Sequence, residues 1–223
     1  MKLQKNRLKA LSLERTKAMA NIIFESSRGH ECIPIDDVFL RDRKVFFVDT
    51  VTAESCNLLI KKLLYLEAVD NTKPIILFIN SPGGEVREGL SVYDTIRLLK
   101  SPVYAVVTGI AASMGSIILL ACDEDKRLML KSSTVMVHDC AWGSRDLGGK
   151  KPHEVQTELD QLKQVNERIV SIIAERTGKT ADEISEITRK DSFFSAEEAI
   201  DFGLASAIVD ENNFNMIISK GGI

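Results

Sequence analysis

Ser101-Pro-Val-Tyr-Ala-Val-Val-Thr-Gly-Ile-Ala-Ala-Ser-Met-Gly-Ser-Ile-Ile-Leu-Leu-Ala-Cys122 runs for 22 residues without a charged side chain. That length would cross a bilayer as a helix, but the run changes character along its course. Val103 to Val107 is β-rich, Gly109 to Ser116 is a turn of small residues, and Ile117 to Leu120 is aliphatic. Pro102, Thr108, Gly109, Ser113, Gly115 and Ser116 break up a spanning helix. A buried strand, a tight turn and a buried helix explain the stretch better than a membrane span.

Outward from this centre the same alternation repeats. Upstream, Val45 to Val51 reads as a strand. Thr52 is a candidate N-cap for a helix whose apolar face is marked by Leu58, Leu59, Leu63 and Leu66 and that ends near Val69. Pro74 introduces a second strand, Ile75 to Ile79. Asn80-Ser-Pro-Gly-Gly84 is a turn, and Val86, Leu90, Tyr93 and Ile96 fall at helical spacing. Downstream, Leu128 to Leu130 and Thr134 to His138 are short strands. Asp139 to Lys151 is rich in glycine and charge and reads as an exposed excursion. From His153 to about Arg176 the spacing predicts a long amphipathic helix with Val155, Leu159, Leu162, Val165, Ile169 and Ile172 inward. Thr180-Ala-Asp-Glu183 and Ser195-Ala-Glu-Glu198 are capping boxes that open two more helices, Gly203 ends the second, and Ala205 to Val209 is a last strand. Asn21 to Arg43 has no clear assignment. Strands alternating with helices imply an α/β fold with parallel sheets flanked by helices. In such folds sites gather at the carboxyl ends of strands, which singles out Ser81 to Gly84, Gly109 to Gly115, and His138.

The bulk properties narrow the function. A chain of 223 residues with a net charge of −3 fits one α/β domain and is no general nucleic-acid binder. The charge is uneven: Met1 to Ala20 carries +5 and the remainder −8. That basic start lacks the apolar run of a secretory signal and reads as a solvated tail or surface helix. Cys32, Cys56, Cys122 and Cys140 form no CxxC pair, and the histidines are not at zinc spacing beside them. Reduced, mostly buried thiols in a cytosolic protein are expected.

Three residues carry candidate chemistry. Ser113, in Gly109-Ile-Ala-Ala-Ser-Met-Gly115, sits among small residues at a strand-to-helix turn, where a hydroxyl can be exposed beside the next backbone N–H. The nucleophile-elbow pattern G-x-S-x-G requires this geometry, and the match is partial because Ala111 replaces the first glycine. A helix starting near Met114 would also direct its positive dipole end at a developing oxyanion. Read alone, tight helix packing explains such a serine better than catalysis does. His138 closes a buried strand and needs a polar partner; alone it is more often a satisfied core residue than a base. His30 and His153 lie in polar surroundings. Asp191, in Arg189-Lys-Asp-Ser-Phe-Phe194, reads alone as a turn residue or a partner of Arg189 or Lys190. Gly83-Gly84 would let a substrate carbonyl approach the main chain, but read alone it is a plain Pro-Gly turn.

Taken together, these segments resemble the ClpP family, the proteolytic subunits of caseinolytic proteases. The resemblance rests on Ser-Arg-Gly29, Phe-Ile-Asn-Ser-Pro-Gly-Gly84, Ser-Val-Tyr-Asp94, Gly-Ile-Ala-Ala-Ser-Met-Gly115, Val-Met-Val-His138, Arg176-Thr-Gly-Lys-Thr, and Lys190-Asp-Ser-Phe-Phe-Ser-Ala-Glu-Glu-Ala199-Ile-Asp-Phe-Gly-Leu204, in that order over roughly Ile22 to Asp210. It implies the ClpP/crotonase-like fold of layered sheets with a protruding handle helix. It also implies a serine endopeptidase acting through an acyl-enzyme on Ser113, with His138 as base, Asp191 orienting the base, and the N–H groups of Gly84 and Met114 as oxyanion donors. No metal or organic cofactor is implied; ATP belongs to the partner. The implied partners are copies of the chain in heptameric rings stacked as a tetradecamer, an AAA+ unfoldase such as ClpX, ClpA or ClpC, and unfolded polypeptides. The implied location is cytoplasmic, with no membrane or nucleic acid involved. The expected organisation is a basic segment over 1–20 (tail, propeptide or axial loop), a peptidase domain over 21–212 with its handle at about 139–176, and a tail over 213–223.

The sequence departs from the family in three places. The usual His-Gln-Pro is His138-Asp139-Cys140 here. The glycine-rich strand that normally follows is replaced by the longer Ala141 to Lys150, and the basic start does not resemble the usual lead-in to an axial loop. Three other readings compete: a crotonase-type acyl-CoA enzyme, which leaves Ser113 and His138 unexplained; a non-catalytic ring subunit, against which the complete Ser/His/Asp set speaks; and a Ser/Lys peptidase, for which no lysine has a recommending motif.

Overall fold

The computed structural model describes residues 20–26, 29–141, 149–212 and 214–215. The chain divides into two units, Met1–Asp42 and Arg43–Ile223. Residues 1–19, most of the basic start, and most of 213–223 lie outside the described residues, as do Ser27-Arg28 and residues 142–148. In the first unit the stretch that the sequence left unassigned forms an antiparallel pair, β1 (Asn21–Ser26) and β2 (Gly29–Pro34), with Asn21 opposite Pro34. Pro34 leads into the short helix α1 (Ile35–Arg41), whose first turn holds Asp36 and Asp37, where negative charge suits the free N–H groups.

The second unit follows the alternation read from the sequence: β3 (Lys44–Phe47), α2 (Ala53–Val69), β4 (Ile75–Ser81), α3 (Val86–Leu98), β5 (Val103–Ala112), α4 (Met114–Leu120), β6 (Arg127–Leu130), β7 (Thr134–Val137), α5 (Pro152–Thr177), α6 (Ala181–Thr188), β8 (Ser192–Phe194), α7 (Ala196–Phe202) and β9 (Ala207–Val209). The strands β3-β4-β5-β6-β9 lie side by side, all parallel. The long β5 pairs with β6 through Ala105–Val107 and then with β7 through Ile110–Ala112. One strand thus joins the main sheet to a second strand group, in which β8 runs antiparallel to β7.

Local chemistry accounts for the boundaries. Thr52 caps α2 by exchanging hydrogen bonds with Ser55, and the boxes at Thr180–Glu183 and Ser195–Glu198 close as their sequences require. In β4 six of seven residues are buried, as expected for a parallel strand covered on both faces. Every residue of α4 is buried, so the 22-residue uncharged run resolves into β5 and α4. Among the described residues no helix is long and apolar enough to cross a membrane.

The long helix corrects one expectation. Ile169 and Ile172 are buried, joined by Val170 and Ile173, but Val155, Leu159, Leu162 and Val165 are only half-buried. The helix buries its stripe in its carboxyl-terminal half, against α4 and α6. The thiols divide similarly: Cys56 and Cys122 are buried, Cys140 is intermediate, and Cys32 is exposed.

A buried cation ties the layers together. Arg127, 1% exposed, donates from Nε to the Cys122 carbonyl (3.0 Å) and from Nη1 to the Arg176 (2.8 Å) and Gly203 (3.2 Å) carbonyls. Burial lowers its pKa to about 10, which leaves it charged at neutral pH. Arg127→Leu would strand these acceptors, each at a cost of about 1–3 kcal/mol. A loss of about 3 kcal/mol or more in urea unfolding is expected. An unchanged midpoint would show that the carbonyls find other partners.

Candidate active site

The placement of Ser113 begins in the register of β4 and β5. Ile79 pairs with Val107 and Ser81 with Ala111, so three residues of β5 face the single residue Asn80. The Asn80 side chain fills that irregularity: its Oδ1 accepts from the Ile110 N–H at 3.1 Å. Gly109 allows this, since a Cβ there would lie 2.5 Å from the same oxygen. Such a bulge re-aims the strand beyond it. At its end Ser113 adopts φ 53° and ψ −121°, a left-handed conformation rare outside glycine. Neighbouring hydrogen bonds hold it there. The Ser113 N–H donates to the Met136 carbonyl (2.9 Å), and the Ser113 carbonyl accepts from the Ser116 N–H (3.0 Å) and Oγ (2.6 Å). This is the strained strand-to-helix turn that the partial G-x-S-x-G match asks for.

His138 arrives by a second ladder. Ala112 pairs with Met136, which brings the end of β7 alongside the Ser113 turn. His138 Nε2 lies 2.9 Å from Ser113 Oγ. Asp191 arrives by a third. β7 and β8 pair antiparallel with Val137 opposite Ser192, so the next step of the same register sets His138 facing Asp191. Their Nδ1 and Oδ1 atoms are 3.3 Å apart, with the histidine side chain 29% and the aspartate side chain 63% exposed. The sequence alternative that paired Asp191 with Arg189 is not what forms: Arg189 meets Glu186 at 2.8 Å. His153 is exposed on the first turn of α5, and His30 belongs to the first unit.

The two glycines after Pro82 complete the wall. A Cβ on Gly83 would lie 2.7 Å from Ser113 Cβ and 3.0 Å from the Met114 nitrogen, so only glycine allows this approach. Gly84 forms a parallel bridge with Val51, closed by the Val51 N–H to the Gly83 carbonyl (2.8 Å) and the Glu85 N–H to the Val51 carbonyl (2.8 Å). The bridge does not use the Gly84 N–H. As the first residue of α4, Met114 likewise has an N–H without an intrahelical acceptor. Gly84, Met114, Ser113, His138, Cys140 and Ile173 are among the residues around a cavity of about 240 Å³.

Two other nucleophile-type side chains lie in that wall: Ser116, whose buried hydroxyl is tied to the Ser113 carbonyl at 2.6 Å, and Cys140. Burial, and after it the Asp139 carboxylate, push the Cys140 thiol pKa up, so it stays protonated and unreactive at neutral pH. Ser113, with an imidazole nitrogen at hydrogen-bond distance, is the group the geometry can activate.

The arrangement also involves residues that the sequence did not single out. Asp139 and Cys140, expected in an exposed excursion, are half-buried and bonded to two helices. Their partners, Asn166 and Thr188, lie 26 to 49 residues away in the chain. The one sequence signal was the acidic residue directly after His138. The three-residue strand β8 was missed as well, because Ser192-Phe-Phe194 is too short to show periodicity.

Comparison with known proteins gives a concordant picture. The model of one protein family, described as Clp protease, matches residues 27–212. The chain is 36% identical over 190 residues to ATP-dependent Clp protease proteolytic subunit 2 of Parasynechococcus marenigrum (strain WH8102), covering 85% of this chain and 94% of the relative. It is 36% identical over 194 residues to proteolytic subunit 1 of Prochlorococcus marinus (strain MIT 9312), covering 86% and 97%.

Proposed function

Because this chain belongs to the Clp protease family of serine-type endopeptidases, we propose that Ser113 is its nucleophile, His138 its general base and Asp191 the residue that orients the base. The approach of His138 Nε2 to within 2.9 Å of Ser113 Oγ carries this reading. With its proton on Nδ1, directed at Asp191, the imidazole accepts the Ser113 proton at Nε2 as Oγ attacks the peptide carbonyl. The carbonyl π pair moves to oxygen, and the N–H groups of Gly84 and Met114 receive that charge. Collapse of the tetrahedral species expels the amine, which takes the proton from Nε2. Water, deprotonated by the same nitrogen, then attacks the acyl carbon, and collapse releases the acid while Nε2 returns the proton to the departing Ser113 Oγ. Each proton transfer and charge is handled within this set, so the proposal includes no metal or organic cofactor.

The relatives' name, ATP-dependent protease proteolytic subunit, supports partnership with a Clp-type ATPase that consumes ATP and delivers unfolded polypeptide. Assembly into heptameric rings stacked as a tetradecamer belongs to the same proposal. The half-buried stripe of Val155, Leu159, Leu162 and Val165 would then be covered by another copy of the chain. A cytoplasmic location and the division into a basic start over 1–20, a peptidase domain over 21–212 and a tail over 213–223 are also part of it. The relatives do not favour the acyl-CoA and non-catalytic alternatives.

The test is labelling with a fluorophosphonate, followed by mass spectrometry of the adduct. Modification at Ser113 alone is expected, with labelling lost in His138→Ala. An adduct on any other residue, or undiminished labelling without the imidazole, would overturn the assignment. Native mass spectrometry reads the ring size in the same samples, with masses at seven and fourteen copies expected.

A further inference from the structure

Asp139 follows His138 directly and is bound on two sides. Its N–H donates to the Thr188 carbonyl at 2.7 Å, and its Oδ1 accepts from Thr188 Oγ1 at 2.6 Å and from Asn166 Nδ2 at 3.1 Å. Asn166 returns the contact, its Oδ1 accepting from the Cys140 N–H at 2.9 Å. The backbone after the histidine is therefore gripped by two points on Thr188 and two on Asn166. Thr188 is 1% exposed and ends α6, three residues before Asp191. Asn166 sits on the long helix α5.

This placement has a consequence for the triad. The exposed Asp191 and the 3.3 Å separation of its oxygen from His138 give a weak, solvent-screened contact that cannot by itself hold an imidazole in line. The grip on residue 139 acts instead on the backbone at both ends of that contact, the residue after His138 and the residue that opens the turn to Asp191. We propose that Asp139 is a positioning residue for this peptidase: through Thr188 and Asn166 it fixes the backbone that carries His138 and Asp191, so that Nε2 stays at reacting distance from Ser113 Oγ. The inference rests on the triad reading above. It requires the acceptor oxygen of residue 139 rather than its charge, since both side-chain bonds are received by one oxygen atom that asparagine also provides.

The test uses the full-length assembled protein, a short fluorogenic peptide and a fluorophosphonate. Asp139→Ala is expected to lower kcat and the labelling rate about 10²-fold, the size of effect expected when a catalytic group is misplaced by about 1 Å, while KM moves less than about threefold. Asp139→Asn should restore both rates to within about fivefold of the parent. Adding Thr188→Val to Asp139→Ala should cost little more than Asp139→Ala alone, because both remove one linkage. Parent-like rates in Asp139→Ala, an asparagine variant as impaired as alanine, or fully additive losses would each overturn the proposal. If Asp139→Ala does not fold, Thr188→Val alone decides: a loss of about tenfold in kcat at unchanged KM supports it, and an unchanged kcat overturns it. A parent that labels at Ser113 together with an indifferent Asp139→Ala would sink this inference alone. A parent that labels elsewhere would sink the triad reading beneath it.

Discussion

Ser113→Ala is expected to lower peptide hydrolysis by about 10⁴-fold or more and to leave the fold in place. The two effects separate because the serine backbone and side chain do different work. The turn is held by the Ser113 N–H on the Met136 carbonyl and by the Ser113 carbonyl under Ser116, and alanine keeps these bonds. Alanine also meets the same left-handed backbone demand at φ 53°. The Ser113 hydroxyl faces the His138 imidazole, whereas the Ser116 hydroxyl is committed to the Ser113 carbonyl and the Cys140 thiol is held protonated by its burial and by Asp139. Thermal unfolding should therefore shift by no more than about 1 kcal/mol equivalent, while steady-state turnover falls to the level left by binding and oxyanion stabilisation. Comparable activity in Ser113→Ala, at matched folding, would mean that another residue attacks the substrate.

The second large effect is expected at Gly84, where stability and rate should fall together. A Cβ at this position would lie 2.3 Å from the Val51 carbonyl oxygen, at a residue whose φ is 149°. Neither side can yield cheaply, because Val51 is bonded at both its N–H and its carbonyl to the peptides flanking Gly84. Gly84→Ala must open that bridge, at about 1 kcal/mol for each bond, with a further 1–3 kcal/mol or so for the strained backbone. A stability loss of about 3 kcal/mol or more is expected in denaturant unfolding. In the proposed mechanism, displacement of residue 84 also moves its N–H away from the substrate oxyanion, for which a fall of about 10²- to 10³-fold in kcat is expected. Gly178→Ala is the control. It too has positive φ, 72°, but a Cβ there meets nothing within 4 Å, so it should lose some stability without the kinetic defect. A Gly84→Ala protein with parent-like turnover would remove this N–H from the mechanism.

Legibility in the sequence followed the range of the forces involved. The helices were readable because their caps are local: Thr52 with Ser55, Thr180 with Glu183 and Ser195 with Glu198 each lie within four residues of chain. The strand-to-helix turn at Ser113 was readable because its small residues are contiguous. That β5 runs on to Ala112 instead of ending near Val107 was not, since the irregularity that extends it depends on Asn80, 30 residues upstream. His138 and Asp191, each ambiguous alone, were singled out by resemblance, since they are brought together by the β7–β8 register that no local spacing reveals. Asp139 was visible only as a departure from a familiar pattern. Its partners on α5 and at the end of α6 come to it through tertiary packing. For the same reason the inward stripe of α5 was overextended: periodicity marks which face is apolar, not how much of it the same chain covers.

The short strand β8 has a further implication. Only Ser192, Phe193 and Phe194 pair with β7, so the facing of His138 and Asp191 rests in part on a ladder that can fray at far smaller free-energy cost than melting the sheet behind it. A slip of one residue in that ladder would turn the Asp191 side chain to the opposite face. On the proposed triad, catalytic competence is therefore a local equilibrium superimposed on a durable scaffold. Conditions that loosen three residues at a sheet margin would silence the enzyme long before any global melting signal changed.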